Sequence, residues 1–330
     1  MMQLSPKSNG QSITCSVIIP VYNSALSLPA LLERLSQVLP GFAAEYEAVL
    51  VNDCSRDNSW DVICNLVTIY PWIVAINLMR NYGQHNALLC GIRSAQYEFS
   101  VTMDDDLQHP PSEIAKLLEK LQEGYDVVYG APEEMQHGPL RDLASTITKL
   151  VLQSAMGADS ARHASAFRAF RTPLREAFST YQSPFVSIDV LLTWGTTRFA
   201  AIKVHHDQRR FGKSNYNLRK LLIHAINMMT GFTVWPLQAA STLGFSFTIF
   251  GILVFLFVIG RYLIEGGSIP GFPFLASIIS IFSGVQLFSL GVIGEYLARM
   301  HFRLMDRPAY TIRSKIDPQA EQQVAKDKRS

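Results

Sequence analysis

The sequence predicts an α/β domain with a mostly parallel sheet, followed by a two-helix membrane hairpin. Up to about residue 131, short apolar runs alternate with segments whose apolar residues recur at helical spacing. Such alternation is typical of βαβ units, in which helices pack on a parallel sheet. Two later apolar runs, 241–263 and 272–298, each exceed the ~20 residues that cross a bilayer as a helix.

Five strands and four helices are expected in the first part of the chain. The strands are CSVIIPVYN, YEAVLVND, IVAINLM, EFSVTMDDD and YDVVYGA. The helices are SLPALLERLSQVL, NSWDVICNLVTIY, NALLCGIRSA and PSEIAKLLEKLQEG. Ligands of such sheets bind at the carboxyl ends of the strands, so Asn23, Asp53, Arg80 and the acidic run 104–106 are expected on one rim.

Composition limits the class of function. Of the 330 residues, 48% are hydrophobic and only 17% are charged, and the formal net charge is +2. The basic residues cluster beside the apolar runs, where lipid head groups would attract them, so no nucleic-acid partner is expected. Cys15, Cys54, Cys64 and Cys90 form no C-x-x-C pair, which disfavours a zinc site and fits a reducing compartment.

The charges around the hairpin predict its orientation. The connecting loop IEGGSIPG contains no Lys or Arg, whereas basic residues precede and follow the two apolar runs. By the positive-inside rule, both ends of the hairpin face the cytoplasm. The polar N-terminus lacks an apolar signal region, so residues 1–230 are expected in the cytoplasm, and the protein is expected to be multi-pass in the inner membrane.

These patterns predict the domain boundaries. We expect a disordered N-terminus at 1–14, the α/β domain at 15–217 and a cytoplasmic tail at 299–330 around the two spans. An amphipathic helix at 218–236 would lie at the membrane interface, with Trp235 at head-group depth.

The acidic run lies in VTMDDDLQHPP, directly after an apolar segment. Adjacent carboxylates repel one another unless water, a cation or a ligand compensates, so the run is either a solvated turn or a site for a hard metal ion. Asn23, Asp53 and Arg80 each have an ordinary interpretation too, as a turn residue, a helix cap and a surface charge. His85 and His109 have no second His or Cys at a ligand spacing and are interpreted as polar rim residues.

Taken together, the motifs resemble the family-two glycosyltransferases of the GT-A type. The segments that carry the resemblance are VIIPVYN, VNDCSRDNS, NLMRNYGQHNALLCG, MDDDLQHPP and RRFGKSNYN, in this order. The ending GVIGEYLARMHFRLMDRPAYTI, after two membrane helices, is similar to that of the polyprenyl-phosphate glycosyltransferases related to dolichol-phosphate mannose synthase, GtrB and ArnC. The resemblance covers residues 15–316 and does not specify the sugar.

The resemblance implies a divalent cation, Mg²⁺ or Mn²⁺, held by Asp104, Asp106 and Gln108. It implies a nucleotide-sugar site whose residues are Pro20, Tyr22, Asn23, Asp53, Arg80, Asp104, Asp105, Arg209 and Ser214. Asp53 would accept a hydrogen bond from the base, which suits uracil and also guanine. Many relatives have two glutamates after the asparagine, whereas Ser24 and Ala25 follow it here.

The resemblance also implies an acceptor lipid and its contacts. Arg141, Lys149 and Arg168 are the cations expected near the phosphate of a polyprenyl phosphate, and Arg209 is expected beside the diphosphate together with the metal ligand Asp106. Ala166 stands where some relatives carry an aspartate. A phosphate acceptor is already ionised and needs little help from a base, so Asp159 and Asp189 are the remaining candidates for a catalytic carboxylate.

The resemblance therefore predicts an inverting, metal-dependent transfer of a hexose from a nucleotide sugar to undecaprenyl phosphate. Glucose from UDP-glucose is the first candidate, and GDP-mannose and a UDP-aminoarabinose donor are the alternatives. A membrane-tethered nucleotide-sugar sensor without turnover is the non-enzymatic alternative, and homo-oligomerisation stays open. A chain ending near Thr230 would retain all the donor-site residues named above and is expected to bind UDP.

The hairpin can be tested with topology reporters. Reporters fused after Lys220 and after Ser330 are expected to be cytoplasmic, and one inserted in the loop EGGSIPG is expected outside. A reporter at Ser330 that is accessible only from the outside would contradict the two-span topology.

Overall fold

The computed structural model describes residues 12–132, 164–183, 186–207, 234–265, 271–305 and 307–320. The chain divides into two compact units. The first comprises Met1–Asn217 together with Arg307–Ser330, and the second comprises Leu218–Asp306. The chain after the apolar helices therefore returns to the first unit.

The first unit contains a sheet of eight strands in its described part, in the order β7-β5-β6-β4-β1-β2-β3-β8. The strands are β1 Thr14–Val21, β2 Glu45–Asn52, β3 Ile73–Leu78, β4 Phe99–Thr102, β5 Val127–Pro132, β6 Arg168–Arg171, β7 Phe199–Val204 and β8 Ile312–Ile316. Strands β4, β1, β2 and β3 are neighbours and run parallel. β6 and β8 run antiparallel to their partners.

The described helices of this unit are α1 Leu28–Val38, α2 Ser59–Ile69, α3 Gln84–Ser94, α4 Ile114–Gln122 and α5 Ile188–Thr193. Short 3₁₀ helices cover Leu39–Gly41, Pro111–Glu113 and Thr172–Phe178. The five strands and four helices expected from the sequence up to residue 131 are all confirmed, and the mixed α/β sheet that they predict is present.

The parallel strands form the core of the first unit. Every residue of β3 is buried, and so is every residue of β1 after Thr14, because these strands have neighbours on both sides and are covered on both faces. α1 buries one stripe of leucines, Leu28, Leu31, Leu32 and Leu35, which recur at helical spacing. The alternating apolar runs of the sequence thus correspond to buried strands.

Helix α3 lies very close to strands β1 and β2. A Cβ atom added at Gly91 would be 2.4 Å from Ile18 Cγ2 and 3.2 Å from Val51 Cγ2. A larger residue would push the helix away from the sheet, so glycine at this position allows the close approach. The approach fixes the start of α3, at Gln84, near the carboxyl ends of the strands.

Three strands were not expected from the sequence, and one of them changes the domain boundaries. β6 and β7 lie beyond residue 131, and β8 lies in the segment that we expected to be a cytoplasmic tail. β8 pairs with β3 in the sheet of the first unit. A chain ending near Thr230 would therefore lose an edge strand of the sheet, and UDP binding by such a chain stays a prediction.

The second unit contains two long apolar helices, α6 Trp235–Glu265 and α7 Phe272–Leu304. Spans of 30 and 21 residues, Trp235–Ile264 and Ile281–His301, are long and apolar enough to cross a membrane, and none of their most apolar stretch is buried. The two helices contact each other at Phe282, whose ring lies edge-on to Phe247 and 3.1 Å from a Cβ built on Gly251. The expected pair of apolar helices is confirmed, whereas most of the expected interfacial helix at 218–236 lies outside the described residues.

Candidate active site

The carboxyl ends of the four central parallel strands bring together the polar residues that the sequence singled out. Asn23 follows β1, Asp53 follows β2, Arg80 follows β3 and Asp104 follows β4. Since β4, β1, β2 and β3 are consecutive in the sheet, these residues lie along one rim. Pro20 is buried inside β1, opposite Val51, so it shapes the strand and lies behind the rim.

The loops after β1 and β2 are joined by hydrogen bonds between a side chain of one loop and a backbone group of the other. Asn23 Oδ1 accepts from the Arg56 amide at 2.8 Å, and the Asn23 amide donates to Ser55 Oγ at 3.0 Å. The Ser24 amide donates to Ser59 Oγ at 2.9 Å. The Asn23 side chain is thus used to hold the loop, while the Tyr22 ring next to it is exposed.

The same rim contains all three non-glycine residues with positive φ in the described part of the chain. Asn23, Cys54 and Leu107 have φ values of 55°, 53° and 62°. They follow β1, β2 and β4, and Leu107 is directly after the acidic run. Such conformations cost of order 1 kcal/mol each and concentrate at functional sites, where the surrounding structure holds them. The strain supports a site at this rim.

Asp53 connects the end of β2 to the loop between β3 and α3, residues 79–83, which we call the β3–α3 loop. Its Oδ1 accepts from the Tyr82 amide at 2.7 Å and its Oδ2 from the Gly83 amide at 2.8 Å. Burial of the carboxylate raises its pKa, and these two hydrogen bonds oppose the rise. Gly83 has a φ of 93°, which only glycine adopts readily.

This arrangement bears on the expected contact between Asp53 and a base. Both oxygens of the carboxylate already accept a backbone N–H, yet each oxygen has two lone pairs. A further N–H donor from a ligand can therefore still be accepted. Arg80 lies in the same loop with an exposed side chain, and its guanidinium is 4.5 Å from the centre of the Tyr82 ring.

The acidic run itself is crowded and partly buried. Asp104 Oδ1 accepts from Gln84 Nε2 at 2.7 Å, and Asp106 Oδ1 accepts from the Gln108 amide at 3.2 Å. Asp105 Oδ2 is buried and has no hydrogen-bond partner among the residues that the structure describes. Burial, together with repulsion by Asp104 and Asp106, raises the pKa of Asp105 to about 7, although a hydrogen bond from Ser24 opposes the shift. The run therefore holds more negative charge than its own hydrogen bonds compensate.

A stack of rings, which no sequence pattern indicated, supports the loop after the acidic run. The His109 ring lies between the rings of Phe167 and His206, with centroids 4.9 and 4.8 Å away. The Gln108 carbonyl accepts from the Asp207 amide at 2.8 Å and lies 3.1 Å from His206 Nδ1. Burial, aided by His206, lowers the pKa of His109 to about 4. The partly buried His109 ring thus packs beneath the loop that follows the acidic run, and its place at the rim stays a prediction.

Arg168 and Asp189 form a buried ion pair with each other. Arg168 is 1% exposed, and its Nε donates to Thr102 Oγ1 at 3.1 Å. Tyr129 Oη donates to the same Asp189 oxygen at 3.0 Å. Although burial opposes the charge, attraction by Asp189, with a contribution from Asp104, raises the pKa of Arg168. The structure therefore places the expected acceptor cation and the expected catalytic carboxylate in one interior network.

Several expected site residues lie outside the described residues. These are Arg141, Lys149, Asp159, Arg209 and Ser214. Within the described ranges, no group of three or more His, Cys, Asp or Glu side chains is arranged to hold a metal ion.

Comparisons with known proteins identify the family and the fold. The model of the family described as Glycosyl transferase family 2 matches residues 16–170. An undecaprenyl-phosphate 4-deoxy-4-formamido-L-arabinose transferase of Serratia proteamaculans (strain 568) is 34% identical over 308 residues, which are 92% of this chain and 94% of that protein. A protein of the same name from Shewanella sediminis (strain HAW-EB3) is 35% identical over 301 residues, 90% and 91% of the two chains.

The chain belongs to Glycosyl transferase family 2. This glycosyltransferase is also similar to a solved structure, that of glucosyl-3-phosphoglycerate synthase from Mycobacterium tuberculosis in complex with Mn²⁺, UDP-glucose and phosphoglyceric acid. The TM-score is 0.50 at 16% identity, and the match covers 66% of this chain and 78% of that one. At this identity the similarity concerns the fold only, and with the family match it confirms the expected GT-A fold.

The buried ion pair gives a testable prediction about Arg168. Replacing Asp189 by Asn leaves the guanidinium buried without a counter-charge, so the free energy of unfolding is expected to fall by about 3 kcal/mol. The double variant Arg168→Met/Asp189→Leu removes both charges and is expected to recover most of the stability and of the glycosyl transfer. The measurements are denaturant unfolding of the purified protein and transfer activity.

Arg171→Met is the matched control, because this arginine lies on the same strand but is partly exposed, with side-chain ion pairs to Glu98 and Asp126. It is expected to cost less than about 1 kcal/mol. A double variant that is stable but has lost transfer would contradict a purely structural role and favour a contact between Arg168 and the substrates.

Proposed function

We propose that this glycosyltransferase transfers a sugar from a nucleoside diphosphate donor to a polyprenyl phosphate, with inversion at the anomeric carbon. The observation that carries the proposal is the acidic run at the end of β4, where three carboxylates crowd together and one buried oxygen of Asp105 has no partner in the described part of the chain. The two undecaprenyl-phosphate sugar transferases that match over nine-tenths of the chain support the same acceptor.

The residues of the acidic run fit a divalent cation. Three adjacent carboxylates repel one another, and the raised pKa of Asp105 reflects burial and this repulsion. Carboxylate and amide oxygens are the ligands that Mg²⁺ and Mn²⁺ prefer, and such ions usually share one or two carboxylates with substrate phosphates. Asp104, Asp106 and Gln108 would hold the ion.

When bound, the cation supplies charge neutralisation for the diphosphate leaving group. The protein's own part is to fix the donor. Asp53 holds the backbone of Tyr82 and Gly83, Asn23 holds the loop after β2, and Gln84 orients Asp104. These contacts fix the strand-end loops before a ligand arrives, so that little ordering remains when the nucleotide binds. We assign Tyr22 and Arg80, whose side chains are exposed, to direct contacts with the nucleotide.

The proposed acceptor does not require a general base. A phosphate monoester is ionised at neutral pH and attacks the anomeric carbon without giving up a proton to the protein. Transfer to such an acceptor does not need the aspartate that some relatives have at the position of Ala166. The Ala166 carbonyl accepts a hydrogen bond from Thr102 Oγ1 at 2.7 Å. We assign the phosphate to Arg141 and Lys149, with Arg209 at the diphosphate, and we give Arg168 a supporting role because it is buried.

The sugar is the finer part of the proposal. The named relatives are transferases of 4-deoxy-4-formamido-L-arabinose, so this sugar, from its UDP-linked donor, now takes first place. The resemblance had favoured glucose from UDP-glucose, which becomes the second candidate. Each donor offers the same diphosphate to the acidic run, so the two candidates differ only in the sugar pocket.

We also propose that the protein spans the inner membrane twice with its α/β unit in the cytoplasm. A chain that leaves a folded unit at residue 217 and re-enters it at 307 must cross a bilayer an even number of times. Two helices of sufficient length lie between these points. The basic residues on both sides of the hairpin support the cytoplasmic orientation.

The test is a donor screen with the purified full-length protein, undecaprenyl phosphate and Mn²⁺ or Mg²⁺. Label from UDP-4-deoxy-4-formamido-L-arabinose is expected in the lipid phase, and label from UDP-glucose is expected to enter more slowly or not at all. Asp106→Asn keeps the shape of the side chain but removes one charge, so the rate of transfer is expected to fall about a hundredfold or more. Treatment of the wild type with EDTA is expected to have the same effect.

Glu119→Gln is the control for the loss of one negative charge, because Glu119 is exposed on α4. It is expected to leave transfer unchanged. Full transfer in EDTA, or by Asp106→Asn, would refute the metal site. A screen in which no nucleotide sugar labels the lipid would refute the proposed acceptor.

A further inference from the structure

The segment Arg307–Ile316, which we call the return segment, connects the second unit back to the sheet. It ends in β8, which runs antiparallel along β3 at the edge of the sheet. The family match ends at residue 170, and none of the site residues expected from the sequence lies in this segment. Its contacts nevertheless lead to the rim on which the proposed function rests.

The pairing between β8 and β3 contains an irregularity at Arg313. Ser314 is opposite Asn77, but Ile312 is opposite Leu78, so Arg313 is an extra residue on the β8 side. Such a bulge turns the extra side chain away from the regular alternation of the strand, and bulges are frequent at sheet edges and next to active sites. The Arg313 side chain is thereby free to point along the strand towards the end of β3.

Both backbone groups of Met79, the first residue of the β3–α3 loop, are bound by the return segment. The Met79 amide donates to the Thr311 carbonyl at 2.9 Å, and Arg313 Nη2 donates to the Met79 carbonyl at 3.2 Å. A loop residue just past the end of a strand would otherwise have these groups in water and be free to rotate. The return segment therefore fixes the direction in which the β3–α3 loop leaves the sheet.

The start of the return segment is anchored separately. The Tyr310 side chain forms a hydrogen bond with the Cys90 thiol of α3. The Arg93 guanidinium lies 5.8 Å from the centre of the Tyr310 ring. Arg93 itself donates to the carbonyls of Phe178 and Tyr181 at 3.1 and 2.8 Å. Ala309 is buried. The segment is thus attached to α3 as well as to β3, which are the two elements that flank the β3–α3 loop.

The remaining contacts of the β3–α3 loop lead to the acidic run. Beyond Met79 come the Arg80 side chain, the Tyr82 and Gly83 amides bound by Asp53, and then Gln84, whose side chain donates to Asp104. The loop and the first residue of α3 are therefore held at Met79, at the Tyr82 and Gly83 amides, and at Gln84. Of these contacts, the one at Met79 comes from the C-terminal part of the chain.

We propose that Arg313 is a positioning residue for the donor: it fixes Met79 and so orients Arg80 and Tyr82 towards the nucleotide. Binding of a nucleoside diphosphate then depends on the chain that follows the membrane helices. Acceptor binding does not depend on this contact, because none of the groups assigned to the lipid phosphate lies in the loop. This inference rests on the proposed nucleotide site at the rim.

The experiment uses full-length protein in lipid nanodiscs and titrates UDP with Mn²⁺ by calorimetry. Arg313→Met keeps the aliphatic stem and removes the donors, so the Kd for UDP is expected to rise roughly three- to tenfold. In the transfer assay, KM for the nucleotide sugar is expected to rise by a similar factor, with KM for undecaprenyl phosphate and kcat within about twofold of the wild type. Arg313→Lys retains one donor and is expected to recover at least half of the lost affinity.

Lys315→Met is the matched control. Lys315 lies on the same strand, opposite Ile76, and its Nζ pairs with Asp317 at 3.0 Å, away from the loop. The Kd of Lys315→Met for UDP is expected to equal that of the wild type. The inference is overturned if the Kd of Arg313→Met for UDP is within twofold of the wild-type value. It is also overturned if the Kd of Lys315→Met rises as much as that of Arg313→Met, because this would indicate general weakening of the edge strand. A wild type that binds no UDP would overturn the proposed function as well.

Discussion

The hydrogen bonds from the Tyr82 and Gly83 amides to the Asp53 carboxylate are the contact on which the rim depends. Asp53 is 3% exposed, so its carboxylate has lost most of its hydration, and these two backbone donors replace the lost water. This contact lies beyond the end of the β2–β3 ladder, whose last pair, Asn52 and Asn77, is also joined by a side-chain hydrogen bond of 2.9 Å. Because Gln84 follows directly, the same contact sets the distance between the loop and Asp104.

The positions of Asn23, Asp53, Arg80 and Asp104 could be predicted because they follow from local patterns. Each residue comes at the end of a buried apolar run, and alternation with helices makes the runs parallel, so their carboxyl ends meet at one edge. What the alternation does not give is how these residues are used. Asn23 binds the next loop and Asp53 binds backbone amides, because a rim of strand ends must satisfy its own polar groups before it can bind a ligand.

The features that were missed depend on contacts between distant parts of the chain. β8 has the sequence IRSKI, without a sustained apolar run, and it becomes a strand only because the free edge of β3 accepts it. β6 has arginines at both ends and carries no strand signal, and Arg168 is buried only because Asp189, 21 residues later, and Thr102 meet it in the folded unit. The stack of His109 with Phe167 and His206 has the same origin.

Amide hydrogen exchange of Tyr82 and Gly83, measured together with UDP affinity, tests most directly whether the Asp53 contact holds the donor site. Asp53→Asn has nearly the same shape but replaces one acceptor oxygen by a donor, so both amides are expected to exchange faster and the Kd for UDP with Mn²⁺ to rise about tenfold. Faster exchange at these two amides with an unchanged Kd for UDP would contradict the claim that this contact prepares the rim for the nucleotide.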